Sequence, residues 1–370
     1  TNQTTPDDGS MQVETYFRIG FIAISSTVLG AVAAGCLYWV QWFRGRRGRN
    51  LCGDRSNELI TRIPQPKPRW SVFDFLLMFG MMVLVTSLMR QPPAAGDAES
   101  DHSAGETNRV VQADQHLERL STDANEVAER RAESKPDDIA SPEDIASPED
   151  VSHAKDATIG DQPSKADELL QGVRVHFIAN LVAFVFTLAL LRLAYGATLA
   201  HLTLVPTTQD LRRGLFATVW ILAPVLLLNI VISNLIQYAH PVTDLLAEES
   251  GTQTFAVLMF FTAVITPIVE EFQFRLLLQG GLQQLADPPD REASWPTWQP
   301  LTAWPIYVTS AVFALMHAGQ GGAPISLFFL SIGLGYLYQR TGRLFPAIVV
   351  HMLLNGTTLS MEFCRVNSGM

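Results

Sequence analysis

Six polar side chains interrupt three apolar segments in the last third of this 370-residue chain. An ionisable group inside hydrocarbon costs about 2.5–3.5 kcal/mol even on a lenient scale, so such groups usually face a bundle interior and mark function. Two carboxylates, two imidazoles, a guanidinium and an amide are the groups that hydrolytic chemistry uses. These candidate site residues are Glu270, Glu271, Arg275, His317, His351 and Asn355.

The spacing of these residues predicts how they pair. Residues four apart share one face of a helix, so Glu271 and Arg275 should form an ion pair that lowers the cost of both charges. Glu270 is turned about 100° away from Glu271. It has no basic neighbour at that spacing, which suits a general base. His351 and Asn355 are also four apart, and imidazole and amide groups are the donors that an oxyanion site needs.

Composition indicates a multi-pass membrane protein. Hydrophobic residues make up 48% of the chain and charged residues 17%. The formal charge of −10 comes from one segment, because residues 97–171 hold 20 of the 36 acids and 7 of the 26 bases. We therefore expect no nucleic-acid partner, and the lipid bilayer is the first expected partner.

Apolar runs long enough to span a bilayer, or nearly so, predict an all-α bundle of about eight transmembrane helices. Two runs precede residue 91 and six follow residue 171. The predicted spans are about Tyr16–Val40, Trp70–Met89, Val173–Tyr195, Leu215–Tyr238, Thr254–Gln279, Trp304–Ala318, Ile325–Gln339 and Leu344–Met361.

Loop charges predict the orientation of this bundle. Basic residues lie between the first two spans, at Arg212–Arg213 and at Arg340 and Arg343. Basic loops stay on the cytoplasmic side, which places the amino terminus outside. We expect a multi-pass protein of the cell (inner) membrane. Residues 1–90 then form two helices joined by a basic cytoplasmic loop.

Residues 91–171 have the composition of a disordered, acidic linker on the outer side: many Asp, Glu, Ser and Ala, and few aromatics. A six-residue unit, Asp-Ile-Ala-Ser-Pro-Glu, occurs twice in tandem at residues 138–149. It is too short and polar to build a core. We interpret the segment as a solvated spacer; a docking or metal-binding tail is the alternative.

The motifs and their order resemble the CPBP family of intramembrane endopeptidases, which includes CAAX prenyl proteases and bacteriocin-processing enzymes. The resemblance covers about residues 173–361, within a domain that we place at 172–370. It rests on Glu270-Glu271-Phe-Gln-Phe-Arg275, on Phe313-Ala-Leu-Met-His317 and on His351-Met-Leu-Leu-Asn355. A Gly-rich stretch from Gly333 to Gly342 also matches, whereas Leu276 stands where many members have Gly.

The resemblance implies that Glu270, with His317, activates water to hydrolyse peptide bonds in membrane-associated or lipophilic substrates. It also implies that His351 and Asn355 stabilise the oxyanion and that Glu271 and Arg275 hold the site. Family members are described both as metalloproteases and as glutamate-dependent proteases. Glu270, His317 and His351 could fill three positions of a zinc-like site. The requirement for a divalent metal therefore stays open, and direct activation of water by Glu270 and His317 is the preferred interpretation.

Two other functions fit parts of the pattern. A non-catalytic membrane scaffold or immunity-type protein would keep the polar core for packing and would tolerate Glu270→Gln. A cation- or proton-coupled transporter would use the carboxylates and imidazoles as a relay, but the matched broken helices of transporters are not evident in the sequence.

Overall fold

The computed structural model describes residues 8–44, 59–60, 62–63, 65, 68–90, 165–236, 241–287 and 298–369. Nine helices and one isolated β-bridge, between Gln65 and Trp298, make up the regular structure of these residues. The helices are α1 (Asp8–Phe43), α2 (Val72–Arg90), α3 (Lys165–Tyr195), α4 (Thr208–Ser233), α5 (Pro241–Glu248), α6 (Thr252–Ala286), α7 (Trp304–Leu315), α8 (Ala323–Thr341) and α9 (Phe345–Asn367).

All eight predicted apolar segments are helical, which confirms an all-α, multi-pass membrane bundle. Within the described ranges, six helices are long and apolar enough to cross a membrane, and α7 is a shorter apolar helix. Helix α5 lies between two of the predicted spans and is not among the predicted helices. Its inward side buries Val242, Leu245 and Leu246.

Helices α1, α3 and α4 begin seven or eight residues earlier than hydropathy predicts, and local sequence accounts for two of these starts. Helix α4 begins at Thr208 because Thr207 and Asp210 form a capping box, in which each side chain accepts a bond from the other's backbone N–H. Helix α3 begins at Lys165, inside the predicted linker, and acidic Asp167 and Glu168 in its first turn favour the helix dipole. Residues 91–164 lie outside the described residues, so their disorder remains a prediction.

The helix bundle has two ends. At the Asp287 end, α6 ends and α7 begins. The Asp287 carboxylate links these two helix ends, because it accepts hydrogen bonds from the N–H and hydroxyl of Thr302. Tyr195, at the close of α3, donates to Asp74 at the beginning of α2, so these helices are antiparallel. The opposite end therefore contains the carboxyl terminus of α2, and we call it the Arg90 end.

Helix α6 is the central element, and it contacts α2, α3, α7, α8 and α9. The largest core cluster gathers around its residues Phe272, Phe274 and Leu276–Leu278 together with Phe313 of α7. Close approach of α8 to α6 and α7 requires Gly335: a Cβ there would lie 2.9 Å from both Gln279 Oε1 and the Cγ2 of Ile306. The Gly-rich stretch of α8 thus allows three helices to meet.

Two π-helical stretches, Phe261–Ile265 and Phe272–Gln279, flank the α-helical segment Thr266–Glu271. Pro267 has no backbone N–H, so the regular ladder is interrupted just after the first stretch. Wide turns of this kind are frequent at functional sites. Here they flank the two glutamates.

Candidate active site

The Glu271 carboxylate lies at the centre of the site. Its Oε2 is 3.1 Å from Arg275 Nε, and both side chains are fully buried. The predicted ion pair is therefore present, as a close charge contact without the alignment of a hydrogen bond. Its Oε1 lies 2.9 Å from His351 Nδ1. One carboxylate thus joins the middle of α6 to α9.

His351 lies between the two glutamates. Its Nε2 is 3.6 Å from Glu270 Oε2. Glu270 remains 16% exposed, whereas Glu271 is completely buried. Because a carboxylate only accepts, the Nδ1 of His351 donates to Glu271, which leaves Nε2 directed at Glu270. The arrangement resembles the carboxylate that orients a catalytic imidazole.

His317 follows the end of α7. Because α7 has only twelve residues, His317 lies at the same level of the bundle as His351 and the two glutamates. Its Nδ1 lies 2.8 Å from the carbonyl oxygen of Phe313, so that nitrogen carries the proton and Nε2 is free to accept. The Phe313 ring lies 4.9 Å from the His317 ring and 6.0 Å from the His351 ring. This phenyl group separates and positions the two imidazoles.

Asn355, one turn after His351, points to a different partner. Its Nδ2 donates to the backbone oxygen of Thr262 at 3.0 Å, in the first π-helical stretch of α6. One amide hydrogen is used there, and the second remains for another acceptor. The structure therefore places Glu270, Glu271, Arg275 and His351 in direct contact, His317 beside them through Phe313, and Asn355 at the edge.

Sequence reasoning missed His176 on α3. This residue lies close enough to Glu270, His317 and Arg90 to interact electrostatically with all three. Asn180, one turn later, directs its amide at the ring nitrogen of His176 (3.2 Å). The signal was present in the sequence, since His176 and Asn180 repeat the His-x-x-x-Asn spacing of His351 and Asn355 inside an apolar run.

Among the described residues, the exposed side of the site is the side towards the Arg90 end. Towards the Arg90 end, Glu270 and His317 are partly exposed and His176 is exposed. Towards the Asp287 end, Arg275, Gln279 and their neighbours on α7 and α8 are buried. A substrate would therefore reach Glu270 from the Arg90 end.

The predicted metal ligands do not form a three-ligand cluster. In the part of the chain that the structure describes, no three His, Cys, Asp or Glu side chains are grouped as a metal site requires. The Nδ1 contacts of His351 and His317 leave Nε2 of each ring as the nitrogen that a metal could bind, so it is the missing grouping that argues against the site. Glu270, His317 and His351 as they stand do not fit a zinc-like site.

Comparison with known families shows what this region is similar to. Residues 252–357 match the model of the type II CAAX prenyl endopeptidase Rce1-like family. No curated protein and no solved structure matches the chain. The matched segment contains all six residues that the sequence motifs singled out. Within residues 252–357 the chain is therefore similar to the CAAX-type intramembrane endopeptidases of the CPBP family.

Proposed function

We propose that this domain hydrolyses peptide bonds of membrane-associated or lipophilic peptides with Glu270 as the general base. The observation that supports this role is the contrast between adjacent glutamates that share His351. Glu271 is buried and paired with Arg275, whereas Glu270 is partly exposed at the open side. A base must meet water and substrate, so Glu270 is the carboxylate with access to both.

In this proposal Glu270 removes a proton from water, and the resulting hydroxide attacks the carbonyl carbon of the scissile bond. His317 assists, because its free Nε2 can accept a hydrogen bond from the same water. Glu270 then gives the proton to the amide nitrogen as the tetrahedral intermediate collapses. The products are a carboxylic acid and an amine, and Glu270 returns to its starting state.

The oxyanion of the intermediate would be stabilised by His351 and Asn355. Glu271 holds His351 through Nδ1, which directs Nε2 to the open side, and an Nε2–H of this ring would donate to the oxyanion. Asn355 contributes its second amide hydrogen, while the Thr262 carbonyl holds the group in place. Arg275 balances the Glu271 charge and touches no substrate.

The location that we propose is the cell (inner) membrane, with the amino terminus and the linker outside. Basic residues Arg69, Arg192 and Arg343 belong to the Asp287 end, which favours that end on the cytoplasmic side. The open side of the site then faces outwards. Labelling of an Arg130→Cys variant in intact cells should proceed without permeabilisation; labelling only after permeabilisation would reverse the orientation.

The test of function is cleavage of a lipidated peptide by the purified full-length protein in detergent, followed by mass spectrometry of the fragments. We propose that water is activated without metal, so activity should survive dialysis against a strong chelator. Loss of activity in the chelator and its return with Zn²⁺ would instead make Glu270, His317 and His351 metal ligands. Uncut peptide under all conditions would contradict the proposed function itself.

A further inference from the structure

A stripe of five polar residues runs along α6 away from the catalytic glutamates. Glu271, Arg275, Gln279, Gln283 and Asp287 follow one another at intervals of four residues. The α-helix has 3.6 residues per turn, so such a repeat would drift around it. The wider turns of the π-helical stretch Phe272–Gln279 reverse this drift and favour one continuous stripe. The first four members are at most 1% exposed.

Several buried atoms of this stripe have no hydrogen-bond partner among the described residues. They include Nη1 and Nη2 of Arg275, Oε1 of Gln279 and Nε2 of Gln283. Facing hydroxyls share this state: Thr309 and Ser310 of α7 and Ser331 of α8, each at most 1% exposed. Buried polar groups in native proteins bind either protein groups or ordered water, so these atoms indicate a common ligand.

Helix register brings part of this set to one level. Gln279 donates through Nε2 to the carbonyl oxygen of Gly335 (2.8 Å), and Ile306 packs against the same glycine. Gln279, Gly335 and Ile306 therefore lie at one level. One helical turn nearer the glutamates are Arg275 on α6, Ser331 on α8 and Ser310 on α7.

A second contact shows that the end of the Arg275 side chain reaches towards the glutamates. Its guanidinium carbon lies 5.1 Å from the centre of the Phe313 ring, one turn beyond Thr309 and Ser310 on α7. The register thus places the guanidinium of Arg275 within about one helical turn of the buried hydroxyls of α7 and α8. These groups are polar and numerous enough to bind water, which typically makes about three hydrogen bonds when buried.

We propose that Arg275, Thr309, Ser310 and Ser331 bind internal water molecules that link the guanidinium to α7 and α8. Charge favours a neutral ligand. The Glu271 carboxylate already balances the charge of the guanidinium, so a further anion has no charge to balance, and Arg275 repels a cation. Water can accept from Arg275 and donate to the hydroxyl oxygens.

This water site has a consequence for the geometry of the active site. The water fixes the side of the Arg275 guanidinium that points away from Glu271. Arg275 in turn holds Glu271, and Glu271 orients His351 through Nδ1. Thr309, Ser310 and Ser331 are therefore positioning residues, which act through water on groups that they do not touch.

X-ray radiolytic footprinting of the full-length protein in H₂¹⁸O tests the site directly, because hydroxyl radicals formed from bound water label the side chains beside it. Phe313 and Phe272 are both fully buried, and only Phe313 lies at the water site, whereas Phe272 packs against Phe184. We expect Phe313 to be labelled several times faster than Phe272. Equal rates in the wild-type protein would overturn the proposal.

The variant Ser310→Ala/Ser331→Ala should lower Phe313 labelling severalfold, and the labelling that remains comes from water at His317, whose ring lies 4.9 Å away. Ser326→Ala is the matched control, since Ser326 is also buried on α8 but hydrogen-bonds Asn229. The control should leave Phe313 labelling unchanged. Undiminished labelling in the double variant would also overturn the proposal, because the hydroxyls would then not hold the water.

A second readout rests on the proposed peptidase activity. The double variant should lower kcat about tenfold with little change in KM and should shift the pH profile of kcat, while Ser310→Thr should retain activity. A loss of kcat in Ser326→Ala as large as in the double variant would contradict the positioning role. Footprinting does not depend on activity. A labelled Phe313 in a protein that cuts no peptide would contradict the proposed function and support the water site.

Discussion

The open and closed sides of this active site differ although they share one helix. On the open side, Glu270 is 16% exposed and lies within electrostatic range of His176. On the closed side, Glu271 and Arg275 are fully buried and in ion contact. His351 touches both sides, with Nε2 towards Glu270 and Nδ1 towards Glu271.

The difference shows how adjacent, chemically identical residues acquire different functions. A helix turns by about 100° per residue, so Glu270 and Glu271 point to separate surroundings. The open side can admit water and substrate, while the closed side can only hold charges in place. Variants of the two glutamates should therefore fail in different ways.

The largest effect is expected for Glu270→Gln. Removing a general base typically costs about 10²–10⁴-fold in rate, and this residue carries no buried ion pair with Arg275. We expect kcat in the peptide assay to fall by that factor, with an unchanged melting temperature in detergent. A variant that still cleaves would make the base role wrong and would favour the scaffold or transporter interpretation.

Glu271→Gln should lower both activity and stability. Removing one partner of a buried ion pair costs roughly 3–5 kcal/mol because the other charge is left unpaired. The melting temperature should fall, and Arg275→Met should act in the same direction. The double variant Glu271→Gln/Arg275→Met is the control: it removes both charges and should recover part of the melting temperature. A stable but inactive Glu271→Gln would mean that base and support are exchanged.

Asn355→Ala should reduce kcat by about 10²-fold if its amide stabilises the oxyanion. KM should change little, because the interaction forms only in the transition state. Asn180→Ala is the matched control, because Asn180 has the same spacing to a histidine but lies outside the family-matched segment. Equal losses in the two variants would remove the special role of Asn355.

The smallest effect is expected from deleting residues 98–160. This segment precedes every motif and lacks the apolar residues that a core needs. Activity of the deletion variant should remain within about threefold of the wild type in the same peptide assay, since tolerated deletions concentrate in such polar segments. Complete loss in a protein with an unchanged melting temperature would show that the segment takes part in recruiting substrate.

Hydropathy predicts which segments form helices, but it does not predict where each helix begins and ends. Eight apolar segments were predicted and eight are helical, because burying backbone groups in lipid leaves little alternative to helices. Helix ends were less predictable. Asp210, which helps cap α4, also binds Arg343 from the turn before α9, and hydropathy contains no information about that contact.

For the candidate site, the sequence by itself determined the residue types, their order and the pairing of Glu271 with Arg275. That pair depends only on the four-residue spacing within one helix. Tertiary structure decided that His351 bridges both glutamates, that Asn355 binds the Thr262 carbonyl, and that His176 joins from α3. These contacts cross between helices that are distant in sequence, so packing and the π-helical turns of α6 set them rather than local spacing.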